Sequence, residues 1–548
     1  MNYSKELISL LFPTHLQTII ELEEKYPKRQ LPDKAIVTRF APSPTGFMHI
    51  GGIYIAMLGK NFAKHSHGVY FIRIEDTDQN RKVDDSESHF NQTFKYFDIA
   101  SDENDNTSFW GPYTQSKRSD IYLAAIKYLI ENDKAYPCFC SKETLDKQTE
   151  KQVEAKVDIG YYGHWATCRN LSTIEVENRI NKGESYVIRF KANGTNETLI
   201  FDDLIRGKVK AKDNINDVVI LKSSSNSLPL PTYHLAHAVD DHLMRVNLVL
   251  RSDEWIPSVP LHFQLFDALG FQRIPYAHIA PLMKLDGKSR RKLSKRKDPE
   301  ASVVFYMEQG YPAKSVTIYL KGLANSKLAA SPIETVLSEP IELSNLQKAG
   351  ALIDLEKLKD VSSNYVATMS AFDIRLNVYE WAQEYDTELA NIIKENWDYT
   401  EKAIDVDRFN NGRARKDLFR WIDFREIFGF FFNDLFETIP NYEDPRLESF
   451  SKEAVSKILN EFVLNYEEGN DNTEWFNNVS RIAELSNFAK NNSDFKQNPE
   501  RFYGSMKEAT QILRIVITGK SSSPDLYEVC KIIGKGEVMR RVKSLLQN

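Results

Sequence analysis

Two stretches of this chain carry residue types suited to handling a polyphosphate. Residues 39–52 read Arg-Phe-Ala-Pro-Ser-Pro-Thr-Gly-Phe-Met-His-Ile-Gly-Gly, and residues 290–297 read Arg-Arg-Lys-Leu-Ser-Lys-Arg-Lys. In the first, Pro42 and Pro44 hold the backbone extended, and Gly46 permits a turn that a β-carbon would resist. His49 then falls where a helix begins. Free N–H groups and the positive end of the helix dipole point outward there, so phosphate is welcome. The second run supplies flexible cationic groups able to close over the same phosphates. From Lys284 to Lys297 only Asp286 opposes this charge. The segment is therefore expected to be a mobile loop that orders over an anion, with Lys295 nearest the pyrophosphate. Together the runs point to activation of a substrate with ATP.

Both runs need elements to aim them. A strand over 36–40, a helix over 51–66 and a strand over 69–74 form a strand–helix–strand unit. Its apolar, β-branched and aromatic strands suit a parallel sheet buried on both faces. Ser119 to Glu131 is an amphipathic helix with Ile121, Ala125, Tyr128 and Leu129 on one stripe. Residues 136–222 change texture. They hold three of the four cysteines, a Lys/Glu-rich helical piece at 142–156, and strand-like runs at 186–191, 198–201 and 217–222. Residues 231–285 return to an α/β pattern, with a strand at 246–250, a helix at 259–269 and a strand-like run at 276–283. Beyond about 300 helical patterns dominate, with an aromatic cluster at Phe428, Phe430, Phe431 and Phe432. Before the first strand, Leu7, Ile8, Leu11, Leu16, Ile19, Ile20 and Leu22 recur at helical spacing. The expected fold class is multidomain α/β plus α: a Rossmann-like parallel-sheet domain split by an α+β insertion, then an all-helical region. The expected divisions are a helical extension over 1–34, the split domain over 35–135 and 223–300, the insertion over 136–222, and helical domains over 301–370 and 371–548.

The bulk properties bound the alternatives. A chain of 548 residues exceeds one hydrophobic core. Its net charge of −6 argues against wholesale coating of nucleic acid, although one basic face remains compatible with it. No apolar run reaches membrane-spanning length and the N-terminus lacks a secretory layout, so the cytoplasm is the expected compartment with no membrane partner. Four cysteines make no disulfide framework.

The ordered set Arg39-Phe-Ala-Pro-Ser-Pro-Thr-Gly…His49-Ile-Gly-Gly, Arg73-Ile-Glu-Asp-Thr-Asp78, Pro231-Thr-Tyr-His-Leu, Val239-Asp-Asp-His-Leu-Met244 and Lys292-Leu-Ser-Lys-Arg296 resembles the glutamyl-tRNA synthetases, which are class I aminoacyl-tRNA synthetases. The match is strong over about 35–320 and continues more weakly through Gly534-Lys-Gly and Arg540-Arg541. Each tetrapeptide alone is a weak signal, whereas several in order are a strong one. The resemblance implies ATP-dependent attachment of L-glutamate to tRNA(Glu) through glutamyl-adenylate, with Mg²⁺ accompanying ATP and a monomeric enzyme. It implies catalytic roles for His49 and Lys295. It implies ATP binding by His49, Gly51, Gly52, Lys292, Ser294, Lys295, Arg296 and Glu254, with His234 and His237 on the nucleotide side. Glutamate would be held by Arg39, Ser43, Glu75, Tyr233 and Arg251, since a planar guanidinium reads a carboxylate best. Arg39 and Glu75, at strand ends, could instead pair with each other. Position 52 is Gly where the family often has a second His, and Ser252 stands where relatives often have Gly or Ala.

Many bacterial relatives bind structural Zn²⁺ in the insertion. Here Cys138, Cys140 and Cys168 supply three thiols and Asn170 replaces the usual histidine; His164, Tyr161 or Tyr162 could complete the set. Three reduced cysteines without metal is the alternative. By the same resemblance the insertion would hold the acceptor stem, residues 301–370 would contact the tRNA stem, and 371–548 would bind the anticodon. Arg413, Arg415, Lys416 and Arg420 form a basic cluster there. Two other functions compete: a glutaminyl-tRNA synthetase, and a non-catalytic synthetase-like protein that binds tRNA or regulates. The first motif and Arg251 speak against the former, and the presence of both phosphate motifs against the latter.

Overall fold

The computed structural model describes residues 3–44, 46–78, 86–406, 408–410 and 413–547. It forms two units, residues 1–305 with 317–354, and 306–316 with 355–548. The range 301–370 is thus divided between them.

The first unit opens with α1 (Lys5–Leu11) and α2 (Ile19–Lys25), capped by Ser4 and by a Thr18/Glu21 capping box. These short helices bury Leu7, Leu22 and the following Tyr26, while Ile20 of the expected stripe is 72% exposed. A helix this short presents only one face to the body of the unit. Then come β1 (Val37–Phe40), α3 (Ile50–His65), β2 (Val69–Ile72), α4 (Ser86–Tyr96), α5 (Ser119–Glu131), β3 (Ala135–Cys138), α6 (Lys142–Glu154), α7 (Thr173–Asn181), β4 (Val187–Phe190), β5 (Thr198–Asp203), β6 (Gly207–Lys212), β7 (Val219–Leu221), α8 (Tyr233–Leu243), β8 (Val249–Ser252), α9 (Val259–Leu269), β9 (Tyr276–Ile279), β10 (Met283–Asp286) and β11 (Ser289–Lys292).

β1 pairs in parallel with β2, and β8 with β9. The Val37 carbonyl accepts from the Asn247 and Leu248 N–H groups at 3.0 and 3.2 Å, so β1 runs beside the lead-in to β8. That use of 246–248 explains why the strand begins later than its apolar run suggests. Pro281 cannot donate to a ladder, and the expected strand 276–283 divides there into β9 and the start of a hairpin. β3, β4 and β7 form a separate antiparallel sheet. β5, grouped by sequence with the insertion, instead pairs with β9 through Asp203 and Tyr276, carrying β6 on its outer edge. β6 reads Gly-Lys-Val-Lys-Ala-Lys. Its lysines suit an exposed edge and conceal the strand from a search for apolar alternation.

In the second unit, the helices Ala371–Tyr385 and Thr387–Glu395 pack against the expected aromatic cluster at 428–432, while Lys452–Asn465, Asn472–Leu485, Met506–Thr518 and Lys535–Leu546 build a second core. One short β pairing, Phe409–Asn410 with Arg413–Ala414, interrupts the helical pattern. Arg541 is buried and donates to the Phe430 and Ile517 carbonyls at 2.8 and 2.7 Å, satisfying carbonyls that the local structure leaves open. Two of the basic residues singled out for RNA are committed internally. Arg415 pairs with Asp417 and donates to the Val406 carbonyl. Arg420 holds Asp423 and Gln309. Lys416 is exposed, and the Arg413 side chain lies outside the described residues. Cys530 is core, as its helical face suggests.

Candidate active site

The C-terminal ends of β1, β8 and β9, and the segment that follows β2, border one cleft of about 660 Å³. Its lining includes Arg39, Ser43, His49, Gly51, Gly52, Glu75, Tyr233, Arg251, Glu254 and Lys292, so both sequence runs reach it. Ser294, Lys295 and Arg296 do not line it.

His49 caps α3. Its Nδ1 accepts from the Gly51 N–H at 2.9 Å, which leaves the proton on Nε2. Burial lowers the imidazole pKa, and the charges of Lys295 and Lys292 lower it further against opposing contributions from the Leu293 backbone and Glu254. A Cβ at Gly51 would stand 3.0 Å from His49 Nδ1, and one at Gly52 would stand 3.3 Å from the Phe40 ring. Glycine therefore keeps both the cap and the floor of the cleft intact.

The basic run is an ordered hairpin, not an unpaired loop. β10 and β11 pair from Met283–Lys292 to Asp286–Ser289. Its charges are met by carboxylates that a window ending at residue 297 omits. Buried Asp298 accepts from Arg291 at 2.6 and 2.8 Å and from the Ser294 N–H at 2.9 Å. These bonds hold its carboxyl far below the usual range. Lys284 pairs with Glu300, and Lys292 with Glu254 at 2.5 Å. Beyond them the turn Ser294–Lys297 carries Lys295, whose ammonium donates to the Phe47 carbonyl beside His49. The two distant sequence runs touch.

At the other end of the cleft the cations differ in how they are paired. Arg39 does not pair with Glu75: its Nε lies 3.0 Å from both oxygens of Asp241. Asp241 also accepts from Arg73 at 2.6 Å and lies 2.9 Å from His237 Nδ1. Burial alone would raise this carboxyl, but Arg39 and Arg73 hold it well below its ordinary value. Glu75 pairs with Arg73 at 2.8 Å, and burial raises its pKa. Arg251 is only 5% exposed, yet no carboxylate pairs with it among the described residues. Its partners are neutral: His278 Nε2 at 3.1 Å, His262 Nδ1 at 3.3 Å, the Trp255 carbonyl at 3.3 Å, and the Tyr276 ring 4.4 Å below. A buried cation so placed favours an incoming anion.

The structure places His234 and His237 away from the cleft wall. Neither lines the cleft; both belong to a histidine cluster packed behind Tyr233 and Arg251. His234 Nδ1 meets His262 Nε2 at 3.0 Å, and His237 stacks on Tyr233 with centroids 5.9 Å apart. Burial pushes both His234 and His237 down to about 4, and His262 well below its usual value. The folded chain therefore refuses protons that the unfolded chain accepts below about pH 6.5. Stability is fully present above that value and lost as pH falls toward 4. Denaturant unfolding at pH 7 and pH 5 is expected to show a loss of about 3 kcal/mol; equal midpoints would contradict it.

Residues 35–360 match the family of class I tRNA synthetases (E and Q), catalytic domain, and residues 420–546 match the anticodon binding domain. The glutamate–tRNA ligase of Acetivibrio thermocellus is 40% identical over 556 residues, covering all of both chains. That of Clostridium perfringens strain SM101 is 38% identical, also over the full length of both. The chain belongs to the glutamate–tRNA ligases. Among solved structures, a glutamate tRNA ligase from Elizabethkingia meningosepticum in complex with its amino acid superimposes with a TM-score of 0.76 at 25% identity, covering 94% of this chain and all of that one.

Within this class I synthetase frame, the residues that sequence reasoning missed are mostly the ones holding others in place. Asp241, Arg73, His262 and His278 are silent as single letters, because partners that matter lie far away along the chain, and Asp298 falls just past the basic run it pairs with. The signal available was the Asp240-Asp241 pair at the end of α8, two carboxylates that a buried helix must neutralise. Asp240 does so through Arg118 at 2.7 Å, Gln115 at 2.9 Å and Tyr122 at 2.7 Å.

The cysteines converge. The Sγ atoms of Cys138, Cys140 and Cys168 lie within 4.8 Å of one another, with Cys140 and Cys168 3.6 Å apart. The Tyr161 hydroxyl sits 3.5 Å from Cys138 and 3.2 Å from Cys140. Thiolates at about 2.3 Å from a tetrahedral zinc stand about 3.8 Å apart, so the spacing fits that metal. His164 is exposed beside Trp165, and Tyr162 donates to the Asp158 carbonyl. Of the three residues proposed to complete the set, only Tyr161 faces the sulfurs.

No helix among the described residues is long and apolar enough to cross a membrane.

Proposed function

We propose that this cleft joins L-glutamate to ATP as glutamyl-adenylate and then passes the acyl group to the end of tRNA(Glu). The observation that carries the reading is Arg251, a buried guanidinium facing the cleft without a carboxylate of its own. The γ-carboxylate of glutamate completes it; the neutral amide of glutamine does not. Arg39, pinned through Nε by Asp241, presents its outer nitrogens to the same group. Glu75 receives the α-ammonium, whose charge favours a carboxyl that burial otherwise raises. Tyr233 closes the pocket with its ring, and Ser43 borders it. The substrate's α-carboxylate then lies toward His49.

At the ATP end, Gly51 and Gly52 admit the nucleotide close to the backbone, and Glu254 with Lys292 marks the edge of its pocket. His49 Nε2–H and the Lys295 ammonium meet the phosphates, with Ser294 and Arg296 on the same turn. Phosphoryl-type displacement requires positioning and charge stabilisation above all. ATP arrives with Mg²⁺ held on its own phosphate oxygens and water. The insertion takes the acceptor end of the tRNA, and the helical region around 420–546 takes its anticodon.

ATP–pyrophosphate exchange tests the reading. Exchange is expected to require both L-glutamate and tRNA(Glu), and to be absent with glutamine. Exchange supported by glutamine, or tight tRNA binding with no exchange, overturns it.

Cys138, Cys140 and Cys168, with the Tyr161 hydroxyl beside them, would hold a structural zinc that cross-links β3 to the loop before α7. Elemental analysis of protein purified without an affinity tag is expected to give close to one zinc per chain. Cys168→Ser is expected to lose it while keeping the cleft. A stoichiometry near zero in the parent protein rejects the site.

A further inference from the structure

Arginine can only donate hydrogen bonds, so each atom behind Arg251 must be an acceptor. Its Nε donates to His278 Nε2 at 3.1 Å. The proton of that ring must then sit on Nδ1, which faces Asp203 Oδ2 at 2.7 Å. Asp203 is itself fixed by the N–H groups of Ile205 at 3.0 Å, Arg206 at 2.8 Å and His278 at 3.1 Å. The same turn grips the site a second time. Arg206 pairs with Asp253 at 2.6 Å, and Asp253 opens the 3₁₀ turn Asp253–Ser258 that presents the Trp255 carbonyl to Arg251. Guanidinium carries five N–H donors. Three are engaged, by His278, His262 and Trp255. One donor remains on each terminal nitrogen, the fork that binds a carboxylate in bidentate fashion.

We propose that the buried Asp203–His278 pair is a positioning device: the β5–β6 hairpin, through one imidazole of fixed tautomer, sets the angle at which Arg251 offers that fork to the substrate's side-chain carboxylate. Asp203 also places a negative charge one ring away from a guanidinium that has no carboxylate in contact. Neither residue touches substrate. The inference rests on the assignment of Arg251 to the glutamate side chain.

Three variants test it by tRNA-dependent ATP–pyrophosphate exchange, with KM for L-glutamate, KM for ATP and kcat measured separately. His278→Phe keeps a ring but removes the acceptor. It is expected to raise the glutamate KM at least tenfold, with kcat at saturating glutamate and the ATP KM within twofold of the parent. His278→Gln restores a carbonyl oxygen and is expected to return the glutamate KM to within threefold. Asp203→Asn keeps the shape and loses the charge, and is expected to raise the same constant severalfold. An unchanged glutamate KM in His278→Phe overturns the proposal, as does an equal loss in all three constants or no recovery in His278→Gln. Should His278→Phe fail to fold, an unchanged glutamate KM in Asp203→Asn overturns it equally. Absence of glutamate-dependent exchange in the parent protein instead sinks the functional reading itself, before any variant is made.

Discussion

Replacing Arg251 with glutamine is expected to lower kcat/KM for L-glutamate by about 10³ while leaving the thermal midpoint within about 3 °C of the parent. The two halves of this expectation have one cause. In the free protein Arg251 is 5% exposed and bonded only to neutral groups, so it bears a desolvation cost without a counter-charge. A neutral amide of smaller size relieves that cost and still offers N–H donors toward the His278 and His262 nitrogens. The substrate complex differs. A carboxylate brought against an amide loses two charge-assisted bonds in a site that excludes water, and truncating one partner of such a pair costs about 2–5 kcal/mol. Lysine is not expected to rescue, because a point ammonium cannot serve both substrate oxygens and the two imidazoles. Exchange kinetics and calorimetry on the same preparation decide the matter. A midpoint lowered by more than about 10 °C would make Arg251 a structural residue. An unchanged glutamate KM would move the carboxylate elsewhere, with Arg39 the next candidate.

The asymmetry between what was legible in the chain and what was not follows from chain distance. The turn at Gly46, the cap at His49, the buried strand β1 and the helices α5 and α9 are local facts, written in residues a few positions apart. The pairing of Arg39 is not local: its carboxylate partner lies 202 residues away on α8, so the alternative drawn from neighbouring strand ends named Glu75. The basic hairpin misled for a related reason. Counting charge along the sequence left Lys284–Lys297 nearly unopposed, whereas Asp298 lies one residue beyond that window and Glu254 reaches Lys292 from 38 positions before it. His234 turns to the face next to that of Tyr233, whereas His237, one helical turn on, shares the Tyr233 face and stacks on its ring deeper in the core. Tyr233 faces the cleft, and the two histidines support it from behind. The β5–β6 hairpin shows a limit of periodicity, because an edge strand of alternating lysines resembles a polar loop until its partner is seen.

Removing the Lys295 ammonium by Lys295→Ala is expected to lower kcat by about 10²–10³ with little change in the glutamate KM, and His49→Ala to do the same. Neither side chain touches the amino-acid end of the cleft, so their contribution falls on charge that develops at the phosphates. Their states differ in a way that can be measured. Burial lowers the Lys295 pKa, and lowers that of His49 with help from Lys295 itself. His49 is therefore neutral at pH 7, with Nδ1 occupied by the Gly51 N–H and only Nε2–H available. It serves as a hydrogen-bond donor, not as a cation. Lys295→Ala should accordingly raise the His49 pKa, because one lowering charge is gone, and an NMR titration of that imidazole reads the change directly. His49→Asn, which preserves a helix cap and an N–H donor, should retain more activity than His49→Ala. If instead the His49 titration is indifferent to residue 295, the contact between the hairpin turn and the Phe47 carbonyl does not persist in solution, and the two phosphate-binding runs do not act on a shared nucleotide.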